Sequence, residues 1–445
     1  MRLRCSPVRL GLSGVLISAL LIAAWLGGTR ARWHAPLDSF VPLSHQARVF
    51  GGDVRDAAGF RPLAPSLARA RWRCDSLRWS SRGLVAAQLA PFERTPPAAL
   101  AEAREEAWLN CAFPWTGHLL RLQVVGGVVY VVPPPAPLAC AAYRVDDLRL
   151  RALAAILTKV SRAARLPDVD FLVNIWDDAK LTSGDDDRVP VFAFNRLAGN
   201  ASRMVLLPLI AEPAYPFLDT EALAAADAAS DSAGDGNGCA DDAAHRAERW
   251  TRRSDRAVFR GTSTGTRAAL CDALSAGGAP GSLRAQRLDF GLTDGAADAG
   301  PAAACHRGAA PLSMAAQARI FNAVVLVDGN AAAWRIVRQL PYDVLVIAAA
   351  SCCETYVHLA LDAEDGSGGT GEVWRVAADL SDVDAVLARL VANRSAAMAT
   401  AARSRAFALS HLNDDATTCY TLELFSRYAC LMPPVSLHPA AQRVF

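Results

Sequence analysis

One stretch of the sequence, residues 253–274, constrains the fold more than any other. A short apolar run at 257–259 leads through Arg260 into the turn Gly261-Thr-Ser-Thr-Gly265, and an alanine- and leucine-rich segment then predicts a helix. An α/β fold binds anions with this order of elements, because glycine permits close approach and the helix N-terminus presents N–H groups and a positive dipole end. Arg260 and Arg267 flank this turn and could pair with phosphate. The alternative is an ordinary strand-to-helix turn with two solvated arginines.

The alternation of strands with helices continues through the chain and predicts an α/β fold with parallel sheets between helix layers. Gly126 and Gly127 predict a hairpin within residues 120–132, since they supply the positive φ angles of a tight turn. Buried strands are predicted at 169–175, 257–259, 324–327, 343–348 and 373–376. Helices are predicted at 147–164, 266–274, 314–321, 331–340 and 354–361.

With 445 residues, the chain is long enough for two domains of ordinary size. We assign residues 67–246 to an N-terminal domain and 247–430 to a C-terminal domain, followed by a tail, 431–445. Residues 221–246 are acidic and rich in alanine, glycine and serine, which predicts a flexible insertion within the first domain.

The N-terminus has the pattern of a membrane anchor. Three arginines precede residues 10–28, an uncharged run of roughly membrane-spanning length. A cleaved signal peptide is the alternative, but its apolar core should be only about 7–15 residues long. We therefore expect a cytoplasmic tail (1–9), a transmembrane signal anchor (10–28) and a stem (29–66), giving a single-pass type II protein of the Golgi or ER with its catalytic part in the lumen.

Charge and cysteine content narrow the range of functions. The net charge is +2, so bulk electrostatics give no argument for a nucleic-acid partner. Of the 11 cysteines, Cys5 precedes the anchor, and the other ten would face an oxidising lumen. No pair of CxxC motifs occurs, so we predict no metal site. Asn200 and Asn393 lie in short N-glycosylation motifs.

Two anion-type turns and an acidic pair suggest the chemistry. The turn after Phe259 and the segment from Asp328 to Arg335 should share one sheet edge, where they could hold a diphosphate. Asp177 and Asp178 follow the strand at 169–175 and should face that edge from the other domain. A nucleotide-diphosphate donor opposite a general base describes glycosyl transfer.

These motifs resemble the Rumi-like protein O-glucosyltransferases and the capsule-associated xylosyltransferases, a single glycosyltransferase family. The similarity spans about residues 121–428 and rests on four stretches in the family's order. They are LPDVDFLVNIWD at 166–177, the segment from Trp250 to FRGTSTG at 259–265, VDGNAAAWR at 327–335, and ADLSD at 378–382 with the later Tyr420 and Tyr428.

The resemblance implies a GT-B fold, in which two Rossmann-like domains face a cleft. It also implies an inverting, metal-independent transfer of glucose or xylose from UDP-glucose or UDP-xylose, with no permanently bound cofactor. The acceptor would be a hydroxyl of a secreted or membrane protein or of a glycan. By matching positions, Asp177 becomes the general base, Arg260, Gly261 and Ser263 contact the donor diphosphate, and Arg335 supplies a second cation. The family also implies a Cys271–Cys305 disulfide.

Some positions depart from the family pattern. Trp176 stands where the family has arginine, and Asp178-Ala179 replaces Tyr-Pro, so the base is either Asp177 or Asp178. Ala333 replaces a serine, and Glu354 is retained as a candidate nucleotide contact.

Two other functions fit parts of the sequence. Gly261 to Gly265 matches the GxSxG motif of α/β hydrolases, with Ser263 as nucleophile and His411 or His438 completing a triad. A non-catalytic lumenal binding protein of the transferase fold is the second alternative, because fold does not imply activity.

Overall fold

The computed structural model describes residues 81–109, 119–133, 148–164, 166–175, 188–198, 204–208, 243–277, 281–295, 305–365 and 371–444. These residues all belong to one compact unit, residues 65–445. The predicted cytoplasmic tail (1–9), anchor (10–28) and stem (29–66) lie outside the described residues, as do residues 221–242 of the predicted acidic insertion 221–246. Residues 243–246, predicted to be flexible, are instead the start of a helix. Within the described part of the chain, no helix is both long and apolar enough to cross a membrane.

The elements of the first part of the chain are helices α1 (Ser81–Leu89), α2 (Pro97–Leu109) and α3 (Leu148–Ala164), with strands β1 (Leu119–Val125), β2 (Val128–Val132), β3 (Val169–Asn174), β4 (Val191–Ala193), β5 (Arg196–Leu197) and β6 (Val205–Leu206).

The second part has helices α4 (Ala243–Arg252), α5 (Arg267–Gly277), α6 (Leu283–Arg287), α7 (Met314–Ile320), α8 (Ile336–Gln339) and α9 (Tyr356–Asp365), with strands β7 (Ser254–Gly261), β8 (Leu288–Leu292), β9 (Cys305–His306), β10 (Phe321–Leu326), β11 (Leu345–Ala349), β12 (Cys353–Glu354) and β13 (Trp374–Val376). The chain ends with α10 (Val383–Ala392), α11 (Arg394–His411), α12 (Asp414–Leu431) and β14 (Gln442–Arg443).

The first sheet is mixed, in the order β14-β2-β1-β3-β4-β6. The predicted hairpin is present: β1 pairs antiparallel with β2, and Gly126 and Gly127 have φ angles of 59° and 79°. β3 is antiparallel to β1 but parallel to β4, which is parallel to β6. The parallel arrangement therefore covers only part of this sheet.

The second sheet is entirely parallel, in the order β13-β11-β10-β7-β8-β9. By position along the chain, this order runs sixth, fifth, fourth, first, second, third, which is the doubly wound Rossmann order. The point at which the order reverses lies between β7 and β10. These strands are buried on both faces of the sheet, which explains the near-continuous apolar runs in the sequence from which they were predicted.

The end of the chain returns to the first sheet. Helix α12 packs against α1 and α3, and β14 pairs antiparallel with β2. Tyr420 donates a hydrogen bond to the Leu206 carbonyl at 2.8 Å, and Tyr428 donates to the Asp170 carbonyl at 2.8 Å. Residues 414–430, assigned from the sequence to the second domain, are therefore packed on the first sheet.

Several details of the second sheet differ from the predictions. Residues 331–335 form turns, and only Ile336–Gln339 of the predicted helix 331–340 is helical. The strand β8 was not predicted, although its sequence, LDFGL, is fully buried. Cys271 and Cys305 are joined by a disulfide, which links α5 to β9 as the family resemblance implied.

A buried ionic cluster holds the first sheet to the helices that cover it. The Arg121 guanidinium donates to both carboxylate oxygens of Asp170, at 2.9 and 2.8 Å. Arg104 donates to the Asp170 carbonyl at 2.8 Å, and Gln123 donates to its carboxylate at 2.8 Å. Both Arg121 and Asp170 are buried, at 5% and 3% exposure. Asp170 also lies 3.4 Å from Arg104 Nη2, and Arg121 also pairs with Glu105 at 2.7 Å, so the charges are compensated as a cluster.

We predict that Asp170→Asn lowers the free energy of unfolding by about 3–5 kcal/mol, because the buried Arg121 and Arg104 would lose the carboxylate that they share, and Arg121 would be left with the exposed Glu105 as its charge partner. The matched control is Glu106→Gln. This change breaks the exposed Arg188–Glu106 pair, in which both side chains are about half exposed (49% and 52%). It should cost less than about 1 kcal/mol. Urea denaturation measures both values, and equal losses would contradict the prediction.

Candidate functional site

The strongest candidate site lies where β7 and β10 end side by side. The turn 262–266 follows β7, and Asp328-Gly329-Asn330 follows β10. In a doubly wound sheet, ligands bind outside the carboxyl ends of the strands at the point where the strand order reverses. The two turns predicted from the sequence to bind an anion therefore occupy that point.

The two turns touch through their glycines. Gly265 has a φ angle of +64°, and a Cβ atom added to it would lie 2.0 Å from the Gly329 carbonyl oxygen. A side chain at Gly265 would thus need both an unfavourable backbone conformation and a shift of the neighbouring backbone. The glycine keeps the turn after β7 against the turn after β10.

Arg267 links these two turns through hydrogen bonds. Its guanidinium donates to the Val327 carbonyl at 3.0 Å and to the Thr264 hydroxyl at 3.0 Å, and it lies over the Phe259 ring. The residue is 7% exposed. The alternative interpretation of a solvated arginine is therefore wrong for Arg267, which holds the ends of β7 and β10 together.

Arg260, predicted to contact a diphosphate, is committed to the neighbouring strand. Its guanidinium forms an ion pair with Asp289 of β8 at 2.8 Å and donates to the Asp289 carbonyl at 2.9 Å. Both side chains are only 12% exposed. Arg260 is thus largely neutralised by Asp289 and joins β7 to β8.

Arg335 reaches the same strand end from the other turn. Its guanidinium donates to the Arg260 carbonyl and lies 5.1 Å from the centre of the Phe259 ring. A Cβ atom on Gly261 would lie 2.9 Å from Arg335 Nη2 and 2.8 Å from Phe259 Cζ. Gly261 therefore makes room for Arg335, which is half-buried at the strand end.

Ser263 is bound to an aspartate. Its amide donates to Asp294 Oδ1 at 2.8 Å, and its hydroxyl donates to Asp294 Oδ2 at 2.6 Å. The Ser263 hydroxyl holds the pKa of Asp294 below its usual value. The serine amide and hydroxyl proton that could bind a phosphate are thus already donated to a carboxylate.

The geometry of Ser263 also bears on the hydrolase alternative. A nucleophile elbow places serine on a strained turn. Among described non-glycine residues, only Leu380 has a positive φ angle, so Ser263 lacks strain of that kind. His411 is buried beside Phe407, and His438 contacts Trp108. The described geometry thus favours a structural role for Ser263.

Asp328 shapes the second turn. Its carboxylate accepts hydrogen bonds from the Ala333 amide at 3.0 Å, the Ser351 hydroxyl at 2.5 Å and the Cys352 amide at 3.3 Å. Burial raises the pKa of Asp328 despite these donors. The hydrogen bond from the Ala333 amide to Asp328 keeps residues 329–333 in a non-helical conformation, which explains why the helix starts later than predicted.

The exposed part of the site is the first turn itself. Thr262, Thr264 and Thr266 are exposed, whereas the arginines beneath them are buried or half-buried. Three aspartates, Asp289, Asp294 and Asp328, accompany the three arginines. Attraction for an anion would therefore depend mainly on the amides and dipole at the start of α5, together with Arg335.

The proposed base lies outside the described residues, as do Trp176 and Asp178. The described chain ends there at Ile175, just after β3. Glu354 forms an ion pair with Arg196 at 3.0 Å, and both belong to the two-stranded sheet of β5 and β12. Among described residues, no group of three or more His, Cys, Asp or Glu side chains could hold a metal ion.

The comparisons with known proteins add no identification. No protein-family model matches the chain, and no curated protein matches it.

Sequence reasoning missed Asp289 and Asp294, and it predicted Arg267 as a phosphate contact, not as the buried link between the two turns. Asp289 lies in β8, a short, unpredicted strand, and its pairing with Arg260 depends on the register between β7 and β8. Asp294 follows the same strand in a Thr-Asp-Gly turn, a local signal that could have been used.

We predict that Gly265→Ala destabilises the protein more than Gly126→Ala. The two glycines have similar φ angles, +64° and +59°, but a Cβ atom on Gly126 would have no atom within 4 Å. The control should cost about 1–2 kcal/mol for its backbone conformation alone. Gly265→Ala should cost at least about 3 kcal/mol, because the Gly329 backbone must also move. Equal losses in urea denaturation would mean that the two turns are not in contact.

We also predict that Ser263→Ala raises the pKa of Asp294 toward its usual value. The wild-type carboxylate is favoured at low pH by the serine hydroxyl, so its charge should persist further into acid than in the variant. Carbon-detected NMR titration of the aspartates measures this. Asp379, whose pKa is lowered by Ser381, is the internal control and should not change. An unchanged Asp294 pKa would contradict the hydrogen bond.

Proposed function

We propose that this protein is a membrane-anchored lumenal glycosyltransferase that moves glucose or xylose from a UDP-sugar to a hydroxyl of a protein or glycan. The observation that carries the proposal is the contact between the turns after β7 and β10, at the point where the strand order of a doubly wound sheet reverses. The family resemblance of the sequence motifs, which include both turns, supports the same activity.

The second sheet would bind the donor. At the start of α5, the amides of Arg267 and Leu270 donate to the Thr264 and Thr266 carbonyls. The amides of Ala268 and Ala269 would therefore bind the ligand, together with the helix dipole. The exposed threonines of the turn offer hydroxyls, and Arg335 offers a guanidinium. These groups would hold the diphosphate, while buried Arg267 and the Arg260–Asp289 pair would keep the turn in place.

The first sheet would carry the base in a GT-B arrangement, with Asp177 or Asp178 just beyond β3. The carboxylate would take the proton of the acceptor hydroxyl as its oxygen attacks the anomeric carbon of the sugar. The bond from that carbon to the diphosphate oxygen would break on the opposite side, which inverts the configuration. UDP would leave with its new charge stabilised by the α5 amides, the turn hydroxyls and Arg335.

The test is UDP release from UDP-glucose and UDP-xylose by the full-length protein in detergent, with a chelator present and candidate acceptors added. We predict that Asp177→Asn lowers kcat by about 10²–10⁴-fold, as loss of a general base does, without weakening UDP binding. The adjacent Asp178→Asn is the matched control, and it should retain turnover if Asp177 is the base.

The remaining outcomes separate the alternatives. If Asp178→Asn alone abolishes turnover, the base is Asp178. If UDP binds but no donor or acceptor is turned over, the protein is a binding protein of this fold. If UDP does not bind at all, the transferase proposal is wrong. Arg335→Gln should weaken UDP binding by roughly 10- to 150-fold, because a charge-assisted hydrogen bond contributes about 1.5–3 kcal/mol.

A further inference from the structure

Two consecutive cysteines lie beside the candidate site and take no part in the proposed chemistry. Cys352 and Cys353 follow β11, and their Sγ atoms are 2.8 Å apart. This distance is well inside the usual separation of two unbonded sulfur atoms. Neither cysteine forms a disulfide, in contrast to Cys271 and Cys305.

The two thiols have different surroundings. Cys352 is exposed, and its Sγ atom lies 3.9 Å from Asp328 Oδ2. Cys353 is buried at 2% exposure, and burial, together with Cys352 and Asp328, raises the pKa of its thiol. A reagent in solution can therefore reach Cys352, whereas Cys353 can react readily only with its neighbour.

The surrounding hydrogen bonds hold the pair in this arrangement. The Ser351 hydroxyl accepts a hydrogen bond from the Cys353 amide at 2.9 Å, and the Cys352 amide donates to Asp328. The Cys352 carbonyl accepts from the Ala198 amide at 2.9 Å, where β12 pairs with β5. Because these hydrogen bonds fix the backbone of both cysteines, the two sulfur atoms stay close without a bond between them.

We propose that Cys352 and Cys353 are a reversible redox site that closes to a vicinal disulfide by exchange with a low-molecular-weight disulfide such as oxidised glutathione. The Cys352 thiolate attacks one sulfur of the reagent, forms a mixed disulfide and releases one thiol. The Cys353 sulfur, after losing its proton, then attacks Cys352 and releases the second thiol. Overall, the two cysteines lose two protons and two electrons, and the reagent is reduced to two thiols.

Closure of this kind should be labile. Adjacent Cα atoms are about 3.8 Å apart across a trans peptide, below the usual range of about 4.4–6.8 Å for a disulfide. Strained or exposed disulfides are more readily reduced than structural ones. The Cys352–Cys353 bond should therefore open under reducing conditions that leave Cys271–Cys305 intact. This inference stands independently of the glycosyltransferase proposal.

The test uses the full-length protein equilibrated in mixtures of reduced and oxidised glutathione, then acid-quenched, alkylated and digested with trypsin. The peptide from residue 339 to 375 contains Cys352 and Cys353 as its only cysteines. In oxidising mixtures, we expect this peptide to lose two hydrogens, to carry no alkyl group and no glutathione, and to recover both thiols on reduction. Cys430, an exposed thiol on α12, is the control and should carry a glutathione adduct instead.

Two variants identify the order of reaction. In Cys353→Ser, the peptide should stop at one glutathione on Cys352, because the resolving thiol is missing. In Cys352→Ser, the buried Cys353 should remain unmodified while Cys430 reacts. The proposal is overturned if the wild-type peptide stays a dithiol at every glutathione ratio that modifies Cys430, or if it accumulates glutathione adducts without ring closure.

Discussion

The contact between Gly265 and Gly329 is the constraint on which the rest of the second sheet's edge depends. It brings the turn after β7 against the turn after β10, and only a residue without a side chain fits between them. Arg267 can then reach the Val327 carbonyl from below, and Arg335 can reach the end of β7 from the side. The arginines predicted to bind phosphate therefore serve first to hold the two turns in position through their hydrogen bonds.

This arrangement changes which groups of the sheet edge are expected to bind an anion. Arg267 and Arg335 donate to carbonyls, and Arg260 pairs with Asp289, while Asp294 and Asp328 add two carboxylates to the same edge. Fixed side-chain charge is therefore nearly balanced, and the groups that remain directed at a ligand are mostly backbone amides and threonine hydroxyls. Binding of an anion to such groups requires little reorganisation of the protein, since their positions are set by the sheet and by α5. The proposed donor site is preorganised by structure more than by net charge.

The sequence predicted the local parts of this picture and missed the non-local ones. The strand, glycine turn and α5 follow from periodicity and from the special conformations of glycine, so their positions were close to those observed. The Arg260–Asp289 pair follows from strand register, which no local pattern specifies. Likewise, α12 lies far along the chain from the first sheet, and its apolar face alone does not say which sheet it covers. The assignment of Asp177 as the base still rests on the sequence motif.

The most direct test of the account is hydrogen exchange of the full-length protein with and without UDP. If the two turns bind the diphosphate, UDP should slow amide exchange in residues 262–270 and 329–333, because their N–H groups would be bound to phosphate or shielded from solvent. Exchange in α2, which packs on the first sheet, should not change. Protection confined to α2 or to other remote elements, or none at saturating UDP, would contradict the assignment of this sheet edge as the donor site.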